Sequence, residues 1–213
     1  MDFSKILSQV LDTAKDAATN GLIKGNSKND QIAKIGGGAV AIGLISMLFG
    51  RNGGSSLAKL GSLAAIGSLA YQAYQKYQAQ NSSVSELSQN NFENVDENVA
   101  SKVILQAMIA AAASDGAITE EEKAAIVSQV GDEAEVIEWI RQEMDTPATV
   151  EEIARQVGND QALATQVYLA SRAVCRDLER KEIVFLANLA DALGLAEALV
   201  EQLEKTQVSN FQF

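Results

Sequence analysis

The 213-residue chain contains no histidine, one cysteine and one proline. Without histidine, imidazole acid–base chemistry, Ser-His and Cys-His nucleophile pairs and histidine-containing zinc sites are excluded. Cys175 has no second cysteine to pair with, so an internal disulfide is also excluded, which fits a reducing compartment. Aromatic residues make up only 5% of the chain, and Ala, Leu, Ile, Glu and Gln dominate instead. This composition favours helices over strands and predicts an all-α protein.

Positive charge is scarce in the C-terminal part of the chain. Residues 1–80 carry 8 Lys/Arg and 4 Asp/Glu, a balance of +4, whereas residues 81–213 carry 9 Lys/Arg and 24 Asp/Glu, a balance of −15. A domain with this much negative charge repels the phosphates of nucleic acids, so no nucleic-acid partner is expected. The N-terminus also lacks the charged-then-apolar pattern of a cleaved signal peptide.

Residues 1–21 are predicted to form an amphipathic helix. Apolar side chains recur at three- and four-residue steps from Phe3 to Ala14, and Asn20-Gly21 provides a stop. Two interpretations are open. The helix packs on the rest of the protein, or it lies on a membrane surface. Its polar face is not strongly basic, which favours packing.

Residues 32–77 contain two uncharged runs of 16 residues each, 35–50 and 60–75, around a Gly/Ser-rich break. They predict a glycine-rich helical hairpin. Each run spans about 24 Å as a helix, against roughly 30 Å of bilayer hydrocarbon, and flanking Lys and Arg can snorkel to the interface. Glycine lets helices approach closely in lipid, so we interpret residues 32–77 as a membrane anchor. More lysines flank the hairpin ends than its loop, which places the C-terminal part in the cytoplasm.

Residues 78–98 are rich in Ser, Asn and Gln and are interpreted as a polar linker. From 99 to 205 the chain reads as seven amphipathic helices in one domain, and 206–213 is a tail. The run from Ala162 to Cys175 is predicted to be the central helix. Thr149 and Glu152 form a capping-box pattern, and Gly194 ends a helix.

Three blocks in this domain, AMIAAAASDGAITEEEKAAI, QVYLASRAV and KEIVFLANLADALGL, resemble those of TerB-like domains, named for tellurite-resistance protein B. With the Gly-rich segment before them, the arrangement resembles the YebE-type branch of bacterial inner-membrane proteins. The resemblance implies a seven-helix α bundle, a stress-related role, an inner-membrane location and a divalent-cation site for Ca²⁺ or Mg²⁺. It implies no known reaction. A cytoplasmic location is the alternative.

The same resemblance indicates the ligands of that cation site. Asp115 and Glu122 match the acidic motif of the first half of a TerB-like domain, Glu182 matches that of the second, and Asp177 is a looser match. The segment CRDLERKE departs from the family pattern, because it is one residue short and brings in Arg and Lys side chains.

The residues themselves leave two interpretations of SDGAITEEEKAAI, a cation-binding loop or a capped joint between two helices. In the joint, Gly116 ends one helix, Thr119 caps the next and Glu122 completes the capping box. Only Asp115 is then left without a structural role, and the capped joint is favoured.

We therefore expect a non-enzymatic, membrane-associated protein whose acidic domain binds a protein partner or senses divalent cations. One alternative is a soluble helical protein that acts through self-association. A metal-dependent hydrolase is less favoured, because it lacks histidine and any recognisable nucleophile–base pair.

Overall fold

The computed structural model describes residues 1–20, 62–81, 84, 86–114, 134–175, 178 and 180–211. These residues form helices and their connections, and the predicted all-α class is confirmed. Nine helices lie in the described ranges: α1 Phe3–Asn20, α2 Leu63–Gln80, α3 Gln89–Glu93, α4 Glu97–Ala113, α5 Ala134–Asp145, α6 Val150–Val157, α7 Gln161–Val174, α8 Arg180–Ala192 and α9 Glu197–Phe211.

Helix α7 lies at the centre of the bundle, as the sequence predicts for residues 162–175. It contacts α4 and α2 most extensively, and it also touches α3, α6, α8 and α9. Residues 162–171 are all buried, and Cys175 directly after the helix is also buried. A helix that is apolar around most of its circumference is stable in water only inside such a core.

The N-terminal helix α1 packs against α4. Its apolar residues Ile6, Leu7, Val10 and Leu11 are buried in the same core as those of α4 and α7. Phe3 meets the Trp139 ring edge-on, with the ring centroids 4.8 Å apart. Of the two interpretations of residues 1–21, the structure therefore has the packed helix.

Helix α2 contains most of the second uncharged run of the predicted hairpin. It begins after Ser62, whose side chain accepts a hydrogen bond from the Ala65 amide, and it packs against α7 and α9. Within the described residues, no helix has both the length and the apolarity to cross a bilayer. The first run, residues 35–50, lies outside the described residues.

Gly67 lets the backbone of α3 approach α2 closely. A Cβ atom at Gly67 would lie 2.8 Å from the carbonyl oxygen of Phe92, which also accepts a hydrogen bond from Gln166 of α7 at 3.1 Å. Real Cβ atoms do not tolerate so short a contact with backbone. The close approach that glycine permits thus occurs inside the helical bundle.

The described residues of 78–98 do not have the structure of a flexible linker. They include the end of α2, the whole of α3 and the start of α4. Phe92 of α3 is only 2% exposed, and its ring lies 5.5 Å from Tyr71 and 5.7 Å from Tyr74. Burial of one large aromatic ring contributes roughly 2 kcal/mol, which favours packing of this otherwise polar segment on the bundle.

Two predicted helix boundaries are confirmed. Thr149 accepts a hydrogen bond from the Glu152 amide, and the Glu152 carboxylate accepts one from the Thr149 amide, which completes the capping box of α6. Gly194 has a φ of +64° and lies two residues after Ala192, the last residue of α8. Its left-handed conformation, which favours glycine, ends that helix.

The last helix, α9, is joined to α7 by a polar cluster. Arg172 Nε donates to Glu204 at 2.7 Å, and the Tyr168 hydroxyl donates to the other oxygen of Glu204 at 3.0 Å. Burial, followed by the nearby Glu204 charge, raises the pKa of the Tyr168 hydroxyl. Helix α9 continues to Phe211, so the residues predicted as a tail from 206 onward begin within this helix.

Candidate functional site

Of the four carboxylates predicted to bind a divalent cation, the structure describes one. Glu182 lies in the first turn of α8 and is partly exposed. Asp115, Glu122 and Asp177 lie outside the described residues, as does the predicted helix joint after Ser114. The part of the chain that is described contains no group of three His, Cys, Asp or Glu side chains arranged to hold a metal ion. The predicted Ca²⁺ or Mg²⁺ site remains a prediction.

The described surface contains a cleft of about 840 Å³. Its walls come from the end of α2, residues 84 and 87–94 with α3, the turn between α6 and α7, and the turn between α8 and α9. Four asparagines line it: Asn90, Asn91, Asn94 and Asn159. We call it the amide cleft.

Three of these asparagines, Asn90, Asn94 and Asn159, are available to a ligand. All three are exposed, and none of their side-chain amides has a hydrogen-bond partner within the described part of the protein. Two neighbouring polar groups are already engaged. Asn91 accepts hydrogen bonds from the amide and the hydroxyl of Ser88, and Asp160 caps α7 by accepting from the Leu163 amide. Each free amide offers two N–H donors and a carbonyl acceptor.

Apolar side chains also line the cleft. Tyr77 and Leu87 are half-buried there, and Ala196 and Leu199 come from the start of α9. The Tyr74 and Tyr77 rings meet edge-on with their centroids 5.8 Å apart. Burial raises the pKa of the Tyr74 hydroxyl, so this group stays neutral at physiological pH. The cleft thus combines free amides with an apolar surface, the combination typical of small-molecule and peptide sites.

A second, smaller pocket of about 450 Å³ lies between α4, α5 and α6. Gln106 and Glu143 lie at its inner side, where both are buried and the Gln106 amide nitrogen donates to the Glu143 carboxylate. Burial raises the pKa of Glu143, while the hydrogen bond from Gln106 and the charge of Lys102 oppose that increase. The amide oxygen of the same side chain, Gln106 Oε1, is buried without a hydrogen-bond partner.

Sequence reasoning missed the amide cleft because three of its lining asparagines lie in the stretch interpreted as a linker. The sequence QNNFEN, residues 89–94, contained a signal for the cleft, because it has a single phenylalanine between residues with amide side chains. A buried Phe92 fixes this segment on the bundle and leaves the flanking amides exposed. The contribution of Asn159 had no local signal, because that residue reaches the cleft from the turn before α7, far along the chain.

Comparison with known proteins gives one family. The model of the family described as "Protein of unknown function (DUF533)" matches residues 34–207. No curated protein and no solved structure matches the chain. The matched range contains every residue that lines the amide cleft, from Tyr74 to Leu199.

Proposed function

The chain belongs to the DUF533 family, and we propose that it is a non-enzymatic protein that holds a protein partner in the amide cleft. The observation that carries this proposal is the group of three unengaged asparagine amides beside an apolar surface. Amides bind by donating and accepting hydrogen bonds, and they supply neither a nucleophile nor a group that titrates near neutral pH. The cleft is therefore suited to recognition.

The proposal also includes a cellular location. On the resemblance to TerB-like domains and their YebE-type branch, the protein is attached to the bacterial inner membrane with its acidic bundle in the cytoplasm. Residues 35–50 are the segment that we assign to attachment. We do not assign the second run to that role, because the buried face of α2 packs against α7 and α9.

Site-specific photo-crosslinking in intact cells tests the binding function. A benzophenone amino acid in place of Ala196, which is exposed at the cleft and is not one of the three amides, is expected to yield a crosslinked product of higher mass after irradiation. The matched control carries the same amino acid in place of Glu138, an exposed residue of α5, which does not line the cleft. We expect no product at that position.

Two results would contradict the proposal. The first is the absence of any crosslinked product from the Ala196 position when the protein is folded and present at its normal level. The second is the same product from both positions, because a specific cleft partner cannot be captured equally from α5.

A further inference from the structure

We infer that the ligand of the amide cleft is an extended polypeptide segment that carries lysine or arginine side chains. This inference rests on the proposed function, since it specifies the chemistry of the partner held in the same cleft. Three features of the cleft lead to it: the kind of polar group, the sign of the surrounding charge and the apolar surface.

The polar groups match the main chain of an extended peptide. An extended segment leaves its backbone N–H and C=O groups unpaired along its whole length, and a primary amide can accept from one and donate to the other. Asn90 and Asn94 come from one wall of the cleft, and Asn159 comes from another. A segment lying between these walls can satisfy its backbone on both sides.

The charge around the cleft favours a cationic segment. Four carboxylates either line the cleft or directly neighbour a lining residue: Glu86, Glu93, Asp160 and Glu197. By the same criterion there is one basic residue, Lys76, which neighbours the lining residue Tyr77. From residue 77 to 101 and from 182 to 204, the sequence contains acidic residues and neither Lys nor Arg. Charge of one sign around a cleft attracts a ligand of the opposite sign and speeds its association.

The apolar surface and this charge together favour a peptide over an oligosaccharide. Alternate side chains of an extended peptide point to opposite sides, so apolar side chains can lie against Tyr77 and Leu87 while basic ones reach the acidic rim. A neutral sugar gains nothing from the rim carboxylates. A nucleic acid is repelled by them.

The test measures fluorescence anisotropy with the full-length protein and labelled hexapeptides. The probe alternates valine and lysine, a second peptide has glutamate in place of lysine, and a third has the lysine sequence with N-methylated backbone amides. Maltohexaose serves as a non-peptide competitor. We expect saturable binding of the lysine peptide, at least tenfold weaker binding of the other two, and no competition by the sugar.

The protein variant Asn94→Ala/Asn159→Ala removes two of the cleft amides without touching the core, because both residues are exposed. It is expected to bind the lysine peptide at least tenfold more weakly. Asn188→Ala, at an exposed position of α8 away from the cleft, is the matched control and is expected to bind like the wild type.

The inference is overturned if the lysine and glutamate peptides bind equally, or if the double variant binds like Asn188→Ala. It also fails if maltohexaose displaces the probe, since the site then recognises a sugar. If no hexapeptide binds while the Ala196 crosslink forms in cells, the ligand chemistry is wrong and the proposed function stands. If both experiments are negative, the proposed function fails as well.

Discussion

At the residue scale, Glu143 shows how burial sets the cost of a charge. The side chain accepts a hydrogen bond from Gln106, but burial dominates and raises its pKa above the ordinary value of 4.5. The neighbouring Gln106 Oε1 has no donor. An ionised carboxylate cannot provide one, so a buried acceptor is left unpaired whenever Glu143 is charged.

Glu143→Gln is expected to stabilise the protein near neutral pH. The new amide can still accept from Gln106 and can also donate to Gln106 Oε1, which contributes roughly 1 kcal/mol to the free energy of unfolding. The raised pKa of Glu143 gives the pH dependence. Below the unfolded-state pKa, the carboxyl is protonated in both states and costs nothing; as pH rises through the folded-state pKa, the wild type loses stability and the variant does not.

Thermal unfolding of both proteins between pH 4 and pH 8 measures this difference. The advantage of Glu143→Gln should be smallest at the acidic end and grow toward neutral pH. Glu138→Gln, at an exposed position of the same helix, is the control and is expected to shift stability by less than about 0.5 kcal/mol. A stability difference that does not vary with pH would show that the Glu143 charge carries no cost in the folded protein.

At the scale of elements, the helices and their ends were more predictable than the contacts between them. The capping box at Thr149, the stop at Gly194 and the apolar face of α1 follow from residues within a few positions of one another. The contact between α2 and α3 depends on Gly67 and Phe92, which are 25 positions apart in the sequence and show no local relation. The periodicity of apolar residues predicts a helix and its apolar face, but it does not predict which other helix packs against that face.

Gly67→Ala is expected to destabilise the protein, although alanine is the better helix former. The gain in helix propensity is about 1 kcal/mol, and the contact with the Phe92 carbonyl oxygen at 2.8 Å forces α3 to move. Such overpacking costs about 1 to 3 kcal/mol, and displacement of Phe92 also weakens its hydrogen bond from Gln166. We therefore expect a net loss of roughly 1 kcal/mol, measured by urea unfolding.

Ser68→Ala is the matched control, because Ser68 is the next residue of α2 and is exposed. It gains helix propensity without a new contact and is expected to be neutral or slightly stabilising. If Gly67→Ala stabilises the protein as much as Ser68→Ala does, the close approach of α3 to α2 is not rigid and the assigned role of Gly67 is wrong.

At the scale of the whole molecule, the N-terminal part and the acidic C-terminal part share one core. Helix α1 packs on α4, and α2 packs on α7 and α9, so the described residues on either side of the predicted linker belong to one bundle. The membrane attachment that we propose therefore depends on residues 35–50, a run of 16 residues without charge.

Replacing Leu44 and Leu48 by arginine is expected to release the protein from membranes. Two charges within the uncharged run cost about 2.5 to 3.5 kcal/mol each at the centre of a bilayer. The measurement is an immunoblot of supernatant and pellet after cell membranes are washed with alkaline carbonate. We expect the wild type in the pellet and Leu44→Arg/Leu48→Arg in the supernatant.

Val99→Arg/Val184→Arg is the control with the same charge change. Both valines are exposed on the bundle, at 50% and 52%, so arginine is tolerated there and the protein should stay with the membranes. If the wild-type protein itself appears in the carbonate supernatant, residues 35–50 do not insert and the attachment proposal is withdrawn.

The sequence by itself determined the all-α class, the capping box at Thr149, the stop at Gly194, the central position of α7 and the acidic character of the C-terminal part. These properties depend on composition and on residues within about one helical turn of each other. The tertiary structure alone decided that 86–94 is a wall of the amide cleft, that Gly67 meets a carbonyl, and that Asn94 and Asn159 face one space. Such juxtapositions arise when distant helices pack, because each buries its apolar face on whichever surface excludes the most water.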